Sequence, residues 1–301
     1  MSVVNRLYGA ITRDRWEIGF VEGGVDAVMS NNGRPKINWM QHDFKDRWFA
    51  DPFILDASDD EIIVLCEEFE YATAKGRIAE LVIDKCSYKL QDMNIVLEED
   101  THLSFPAIWR EKGRIFIYPE SWNSGALWLY EYKGRGRKLE RVKAICDEAM
   151  ADAIMTERFG NRWLLSTREN DKLRIYDYDA DSQKFVFFKE VNFGKATARN
   201  AGDFFDYQGK VYRPAQVCIE RYGEATEIQE VICDENGFEF VSCKRLYSPH
   251  PKFNIGLHTI NSYKGMTVID VHGWNYPFVV KSIIAMKNLL FGKEWKRRKQ
   301  K

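Results

Sequence analysis

Runs of apolar residues rich in β-branched and aromatic side chains recur along most of the chain, and such runs predict strands. The clearest are Glu61–Cys66, Arg114–Tyr118, Arg162–Ser166, Lys210–Tyr212 and Met266–Asp270. No long stretch with helical spacing interrupts residues 45–272. Because α/β folds alternate strands with helices, the pattern argues against that class and predicts an all-β chain.

A unit made of a strand, a tight turn and a second strand appears five times, at intervals of about fifty residues. The first strands of the copies begin at or near Asp51, Phe105, Asp152, Gly202 and His258. A β-repeat of roughly this length is typical of a propeller, in which each copy forms one four-stranded blade. We therefore predict a five-bladed β-propeller over residues 1–275. The strand-like segment 15–20 is expected to close the ring against the last blade.

The last residues differ from the rest of the chain. Residues 278–291 have helical spacing, and residues 293–301 are strongly basic. We predict a second region over residues 276–301, a short C-terminal amphipathic helix and a polybasic tail. One interpretation is a segment that lies on an anionic membrane surface. The other is a helix packed on the propeller and followed by a solubilising tail.

Charge and cysteine content exclude some classes of function. The chain has 44 Lys and Arg residues against 45 Asp and Glu residues, so no global attraction to nucleic acid is expected. Its six cysteines show no Cys-x-x-Cys pairing, which favours a reduced protein without structural zinc. The N-terminus lacks the apolar core of a signal peptide. These features predict a cytoplasmic location, at the inner face of the membrane if the C-terminal segment binds lipid.

The repeats disagree where their first strands begin and where their second strands end, and in a propeller such positions can face the central channel. The first set is Asp51, Ser104, Asp152, Asp203 and His258. The second set is Glu67 or Glu68, Glu120, Arg168, Gln216, and Asp270 or His272. Carboxylates gathered in a pocket raise one another's pKa, which yields the acid and the base of glycosyl chemistry. We therefore predict the candidate site at this place.

Each of these residues also has a purely structural interpretation. Asp51 precedes a proline and can initiate a turn, Asp152 can bond backbone amides, and His258 can be a satisfied core histidine. In the fourth repeat, Arg199 and Arg213 can bind a phosphate or a carboxylate through forked hydrogen bonds. They can equally pair with carboxylates of a neighbouring blade.

Flat apolar faces for a sugar ring are available from four tryptophans: Trp109, Trp122, Trp128 and Trp274. Phosphate-binding Gly-rich loops and nucleophile-elbow motifs are missing from the sequence, so Rossmann and α/β-hydrolase chemistry are set aside.

Several short motifs together resemble a known family. They are Phe49-Ala-Asp-Pro-Phe53, Leu103-Ser-Phe-Pro106, Tyr118-Pro-Glu120, Ala198-Arg-Asn-Ala-Gly202, Arg213-Pro-Ala-Gln216, Tyr222-Gly223 and Gly256-Leu-His-Thr-Ile260. This set resembles the N-terminal domain of glucosamine inositolphosphorylceramide transferases. That domain is similar to the five-bladed propellers of arabinanases, β-xylosidases and invertases.

The resemblance implies roles for the carboxylates. Asp51 matches the aspartate that acts as base or nucleophile in those hydrolases, and Asp152 and Glu120 are candidates for the pKa-tuning aspartate and the general acid. By the same analogy, a calcium ion in the central channel near His258 is considered as a cofactor. Ser104 stands where many of the hydrolases have an acid, so their mechanism does not carry over whole. Nothing in the chain corresponds to the separate glycosyltransferase domain of the plant proteins.

Our leading hypothesis is glycosyl transfer in glycan or glycolipid biosynthesis, with Asp51, Glu120 and Asp152 as catalytic residues. The expected partners are a sugar or nucleotide sugar and a lipid-linked acceptor or an anionic membrane surface. The alternatives are a glycoside hydrolase of a cytoplasmic oligosaccharide and a non-catalytic sugar-binding module that serves a transferase. The predicted substrate-binding residues are Glu68, Ser104, Arg199, Asp203, Arg213, Gln216, His258 and Asp270.

Overall fold

The computed structural model describes residues 12–30, 35–234 and 237–291. Within these ranges, twenty strands form five four-stranded antiparallel sheets, and each sheet is one blade of a β-propeller. The predicted all-β, five-bladed fold is confirmed.

Blades 1 to 4 follow one another along the chain. Blade 1 holds β3 (Arg47–Ala57), β4 (Glu61–Glu70), β5 (Lys75–Asp84) and β6 (Leu90–Leu97). Blade 2 holds β7 (Ser104–Glu111), β8 (Arg114–Glu120), β9 (Leu127–Tyr132) and β10 (Glu140–Cys146). Blade 3 holds β11 (Ala151–Phe159), β12 (Asn161–Glu169), β13 (Lys172–Asp179) and β14 (Lys184–Asn192). Blade 4 holds β15 (Phe205–Tyr207), β16 (Lys210–Val217), β17 (Ala225–Asp234) and β18 (Gly237–Leu246).

Blade 5 joins the two ends of the propeller. It combines β19 (Ile260–Tyr263) and β20 (Met266–Trp274) with the N-terminal strands β1 (Asp14–Val21) and β2 (Ile37–Trp39). β1 pairs with β20 along its whole length, from Asp14 opposite Trp274 to Val21 opposite Thr267. The prediction that the N-terminal segment closes the ring is therefore confirmed.

The core lies between neighbouring blades, and strands within a blade are consequently buried on both faces. In β5, Ile78, Leu81, Val82 and Ile83 are all fully buried. This explains why the sequence shows continuous apolar runs rather than strict alternation of apolar and polar residues. Burying one such side chain contributes about 1.5–3 kcal/mol, so packing between blades is the main stabilising term.

Two helices accompany the blades: α1 (Gly24–Met29), between β1 and β2, and α2 (Pro277–Phe291), which follows β20. Val280 of α2 is buried, whereas Phe278, Val279 and Met286 are exposed. In the part of the chain that the structure describes, no helix has both the length and the apolar character needed to cross a bilayer. The predicted basic tail, residues 293–301, lies outside the described residues.

Candidate active site

The first strands of three blades, β3, β7 and β11, are the inner strands and share one irregularity. Asp51, Phe105 and Asp152 have positive φ angles of 51°, 45° and 44°. In each case the register of the inner strand shifts at this position, as in a β-bulge. A left-handed conformation costs about 1–2 kcal/mol in a residue with a Cβ atom. Such strain is often found where a fold positions a functional group, and two of the three residues are aspartates.

Asp51 lies in a buried cluster with Asp270, His258 and Thr259. Its backbone N–H donates to Asp270 Oδ2 at 2.9 Å, and its own Oδ1 accepts from the Thr259 hydroxyl at 2.8 Å. His258 Nδ1 lies 2.8 Å from Asp270 Oδ2, and its Nε2 lies 3.7 Å from Asp51 Oδ1. The imidazole therefore lies between two carboxylates, one from each of two neighbouring blades.

Burial and neighbouring charges shift the pKa values of this cluster. Burial raises the pKa of Asp51 to about 6; the His258 charge opposes that rise, and Asp270 and Asp152 add to it. Burial alone would lower the pKa of His258, but Asp270 and Asp51 outweigh it and raise the pKa to about 9. Near neutral pH, Asp51 is thus close to its titration point beside a charged imidazolium.

A second cluster joins Asp152 to Glu120, Arg199 and Gln216. The Asp152 N–H donates to Glu120 Oε2 at 2.9 Å. Arg199 Nε donates to Asp152 Oδ2, while its Nη2 donates to Glu120 Oε2 at 3.3 Å. Gln216 Nε2 also donates to Asp152 Oδ2, at 2.9 Å. One guanidinium therefore holds two carboxylates of different blades side by side.

This arrangement keeps a proton available near neutral pH. Burial raises the pKa of Asp152 to about 7, with Arg199 opposing the rise and Glu120 adding to it. A carboxyl with a pKa near 7 retains its proton up to the neutral range. Asp152 can therefore supply an acid, and Asp51 can supply a base.

Aromatic rings surround the imidazole of His258. Trp16 stacks on it at 4.0 Å between ring centroids, and His272 stacks on the other face of Trp16 at 4.5 Å. Tyr222 meets His258 edge to face at 5.5 Å and lies under the Arg199 guanidinium at 5.2 Å. Tyr222 is 48% exposed and therefore forms part of the rim of the site.

The two glutamates at the end of β4 have different surroundings. Glu67 is buried and lies opposite Ala50, the neighbour of Asp51, in the pairing of β4 with β3. Burial raises its pKa to about 7, and the Asp51 charge adds to the rise. Its Oε1 lies 3.0 Å from Nε2 of His102, whose side chain is 48% exposed. Glu68 instead pairs with Arg47 at 2.8 Å and Arg77 at 2.9 Å within blade 1. Of the alternatives that the sequence left open, Glu67 belongs to the site and Glu68 to the blade.

Two predicted ligands of the fourth repeat lie away from the cluster. Arg213 is fully buried and donates to Asn200 Oδ1 at 2.7 Å, to Gln229 Oε1 at 2.9 Å and to the Ala198 carbonyl. It cannot bind a phosphate or an acidic sugar, because its donors are used inside the protein. Asp203 has other partners: its N–H donates to Asn261 Oδ1 at 2.7 Å, and its carboxylate accepts from the Phe204 N–H at 2.7 Å.

The remaining candidates fall inside and outside the site. Ser104 is buried and lies opposite Glu120 in the pairing of β7 with β8. Arg168 is exposed and pairs with Glu148 at 2.7 Å.

Among the tryptophans, Trp122 follows the end of β8 within a short 3₁₀ turn, Trp122–Ser124, and is 51% exposed. It is placed to offer its ring at the same end of the channel as Glu120.

Trp109 and Trp128 lie under Arg162 and Arg141, and Trp274 donates its N–H to Asp14 at 3.0 Å. Their rings are therefore already in contact with the protein.

Asp51, His258 and Asp270 place one ligand atom each within 4.8 Å of one another, the one such group within the described ranges. Asp270 already accepts from the backbone amides of Asp51 and Thr259 and contacts His258 Nδ1. Calcium takes about six to eight oxygen ligands. Two hydrogen-bonded carboxylates and an imidazole do not fit that demand. The calcium suggested by the resemblance is not supported by this donor set, and no step below uses a metal.

Sequence reasoning missed several contributors. Thr259, His102 and Trp16 were not among the predicted site residues. Thr259 directly follows His258, so the repeat alignment could have found it. His102 and Trp16 lie in a connection and in the N-terminal strand, outside the repeat pattern, and only the closed ring brings them to the site.

Comparison with known proteins gives a consistent result. Residues 37–252 match the family model described as "Glucosamine inositolphosphorylceramide transferase 1, N-terminal". The glucosamine inositolphosphorylceramide transferase 1 of Arabidopsis thaliana is 29% identical over 217 residues, covering 68% of this chain and 27% of that protein. Its counterpart in Oryza sativa subsp. japonica is 23% identical over 202 residues, covering 62% of this chain and 27% of that protein. The match therefore spans about a quarter of the length of each relative.

Solved structures of similar fold are glycosidases. A β-xylosidase matches with a TM-score of 0.54 at 10% identity, over 74% of this chain and 91% of that one. The GH43_1 enzyme from Xanthomonas citri matches with a TM-score of 0.53 at 9% identity, over 74% and 87% of the two chains. At these identities the likeness shows the five-bladed fold.

Proposed function

Because this chain belongs to the family of glucosamine inositolphosphorylceramide transferase N-terminal domains, we propose that its carboxylate-lined site binds a sugar and transfers a glycosyl group in glycolipid biosynthesis. The observation that carries the proposal is the presence in one site of two buried aspartates with left-handed backbones, Asp51 and Asp152. Their pKa values are raised to about 6 and about 7. A base that is ionised and an acid that is still protonated between about pH 6 and pH 7 are what glycosyl chemistry needs.

Each group has a defined part in the proposed step. Ionised Asp51 takes the proton of the acceptor hydroxyl, while the acceptor oxygen forms its bond to the anomeric carbon. The bond from that carbon to the leaving oxygen breaks, and protonated Asp152 gives its proton to that oxygen. Arg199 keeps Asp152 and Glu120 in place, and His258 holds Asp51 through charge. The surrounding carboxylates stabilise the positive charge that develops on the sugar ring.

The names of the relatives suggest the substrates. They combine glucosamine with inositolphosphorylceramide. We propose an amino sugar or related hexose as the transferred group, and an inositol-containing lipid headgroup as the acceptor. Tyr222 and Trp122, about half exposed at the rim, supply flat faces for the ring.

A second candidate is a sugar-binding module without catalysis. The observation in its favour is that Glu120 and Asp270 each accept a backbone amide hydrogen bond from a neighbouring blade. Carboxylates used in this way also hold blades together, and a pocket so built binds hydroxyl groups without reacting. Hydrolysis is a third outcome, in which water takes the place of the acceptor hydroxyl.

One assay separates these functions. The full chain is incubated with UDP-glucosamine and inositolphosphorylceramide in mixed micelles, and separately with nitrophenyl glycosides in water. Transfer to the lipid supports our proposal, and release of nitrophenol without transfer supports hydrolysis. Sugar binding by calorimetry with no turnover in either assay supports the binding module.

The variant Asp51→Asn tests the assignment of the base. We expect a loss of turnover of about 100-fold or more, the usual worth of a positioned acid or base. The matched control is Asp203→Asn, which alters a half-buried carboxyl that accepts from the Phe204 N–H instead. Equal turnover in Asp51→Asn and in the unaltered protein would contradict the proposed mechanism.

A further inference from the structure

A groove of about 1230 Å³ lies beside β1 and the start of α2, outside the candidate active site. It is lined by the segment that links β2 to β3, by the stretch before β19 and by the residues that follow β20. The residues that matter for its charge are Arg13, Lys45, Lys89 and Lys252. None of these four has a carboxylate within 4 Å among the residues that the structure describes.

The acidic groups of the groove do not offset these cations. Glu17 is bonded to Arg15 at 2.7 Å and lies 3.6 Å from the buried His42, so its charge is used within the protein. Asp43 is the other carboxylate in the lining. Four exposed cations against one carboxylate leave the groove clearly positive.

Exposed apolar side chains lie next to this charge. Tyr276 and Val279 line the groove and are 57% and 47% exposed, and Phe278 between them is 86% exposed. Exposure of large apolar residues at the start of a helix has no stabilising effect in water. Cations combined with exposed aromatic and aliphatic residues are the composition of interfacial membrane-binding segments.

Part of the groove lies close to the candidate active site. β1 begins at Asp14 opposite Trp274, where β20 ends, and Trp16 of β1 stacks directly on His258. Tyr71, which lines the groove, donates to the Asp14 carbonyl at 3.2 Å. β1 therefore connects the groove to the candidate active site.

We propose that the groove and the first turn of α2 form a docking surface for an anionic phospholipid bilayer. The cations contact lipid phosphates, and Phe278 and Val279 enter the interface. The sequence after α2 adds six Lys and Arg residues to one Glu between residues 293 and 301. Each basic residue near an anionic surface strengthens binding by about 1 kcal/mol, or roughly fivefold. The docking proposal does not depend on the proposed catalysis.

Sedimentation of the full chain with vesicles tests the charge of the groove. The vesicles are phosphatidylcholine alone or phosphatidylcholine with phosphatidylserine. We expect binding to the second kind only, weakened at high salt. The variant Lys45→Glu with Lys252→Glu removes two such residues and should bind at least about 25-fold more weakly. Its control, Lys112→Glu with Arg137→Glu, makes the same change of charge away from the groove and should bind as the unaltered protein does.

The apolar contribution is tested separately. Phe278→Ser should weaken binding about tenfold, because it removes one large side chain from the interface. The control is Phe187→Ser, which alters an exposed phenylalanine, 46% accessible, on the outer strand β14. Thermal melting checks that all four variants are folded.

Equal sedimentation of the groove variant and its control would overturn the proposal, and so would equal sedimentation with the two kinds of vesicle. A third contradicting result would be release of the protein from the vesicles by inorganic phosphate, at an ionic strength at which chloride has no effect. The last would indicate a small-anion site. Asp51→Asn should sediment normally, so a failure of docking is distinguishable from a failure of the proposed catalysis.

Discussion

The backbone N–H of Asp152 donates to the carboxylate of Glu120 at 2.9 Å, across the boundary between blades 3 and 2. Asp51 makes the same bond to Asp270 across the boundary between blades 1 and 5. In both cases the donor residue has a left-handed backbone and its own carboxylate lies in the channel cluster. The same backbone hydrogen bond between blades thus positions two acidic groups on two sides of one site. The charged partner differs: Asp152 lies beside a guanidinium, and Asp51 lies beside an imidazole.

Arg199 is the residue that makes the Asp152–Glu120 pair stable. In Arg199→Gln the two carboxylates lose their shared cation, and we expect unfolding by urea to show a loss of about 3 kcal/mol. Because Arg199 lowers the pKa of Asp152, its removal should also raise that pKa and move the alkaline limb of activity to higher pH. Arg168→Gln is the control, since Arg168 is 56% exposed and pairs at the surface with Glu148. It should change stability by about 1 kcal/mol at most.

A plot of kcat/KM against pH should be a narrow, bell-shaped curve. Asp51 must be ionised to act as base, so the rate rises as the pH passes about 6. Asp152 must keep its proton to act as acid, so the rate falls as the pH passes about 7. Measuring kcat/KM across this range gives both limbs. A rate that stays constant from pH 5 to pH 9 would contradict both assignments.

The fold and part of the site were predictable because the repeats share one geometry. Equivalent positions of a propeller blade converge on the axis, so aligning the turns was enough to bring Asp51, Asp152 and Glu120 together. In blade 4 the same alignment selected Asp203, but the inner strand is only three residues long, Phe205–Tyr207. The irregular segment before it brings Arg199 to the centre instead, and no periodicity reveals such a segment.

Arg213 shows a second limit of sequence reasoning. A charged residue in the middle of an apolar strand suggests a ligand, yet its partners are Asn200 and Gln229, together with a backbone carbonyl. Such a network depends on how neighbouring strands meet, which the pattern of polar residues does not encode. Glu67 and Glu68 were undecided for a related reason: adjacent residues of a strand point to opposite faces, and only the register decides which faces the channel.

Arg213 is therefore predicted to support the site without touching substrate. Arg213→Met should lower the free energy of unfolding by about 3 kcal/mol or more, because three buried acceptors lose their donors. Asn200, one of these acceptors, donates to the Asp152 carbonyl at 2.7 Å, so local disorder would reach the catalytic pair. Urea denaturation measures the effect. If Arg213→Met were as stable as the unaltered protein, the network would not have the role we assign to it.

Gly223 determines how closely the Tyr222 loop approaches His258. It has φ of 58°, and a Cβ atom built on it would lie 2.6 Å from the His258 Cβ. Gly223→Ala should therefore displace either the loop or the imidazole and weaken sugar binding, as measured by calorimetry. Gly209→Ala is a close control, since φ is 75° there and an added Cβ would meet nothing within 4 Å. Both variants carry the left-handed cost of about 1–2 kcal/mol. Only the crowding against His258 differs between them. Equal sugar affinity in the two variants would therefore show that Tyr222 and His258 are not part of the binding site.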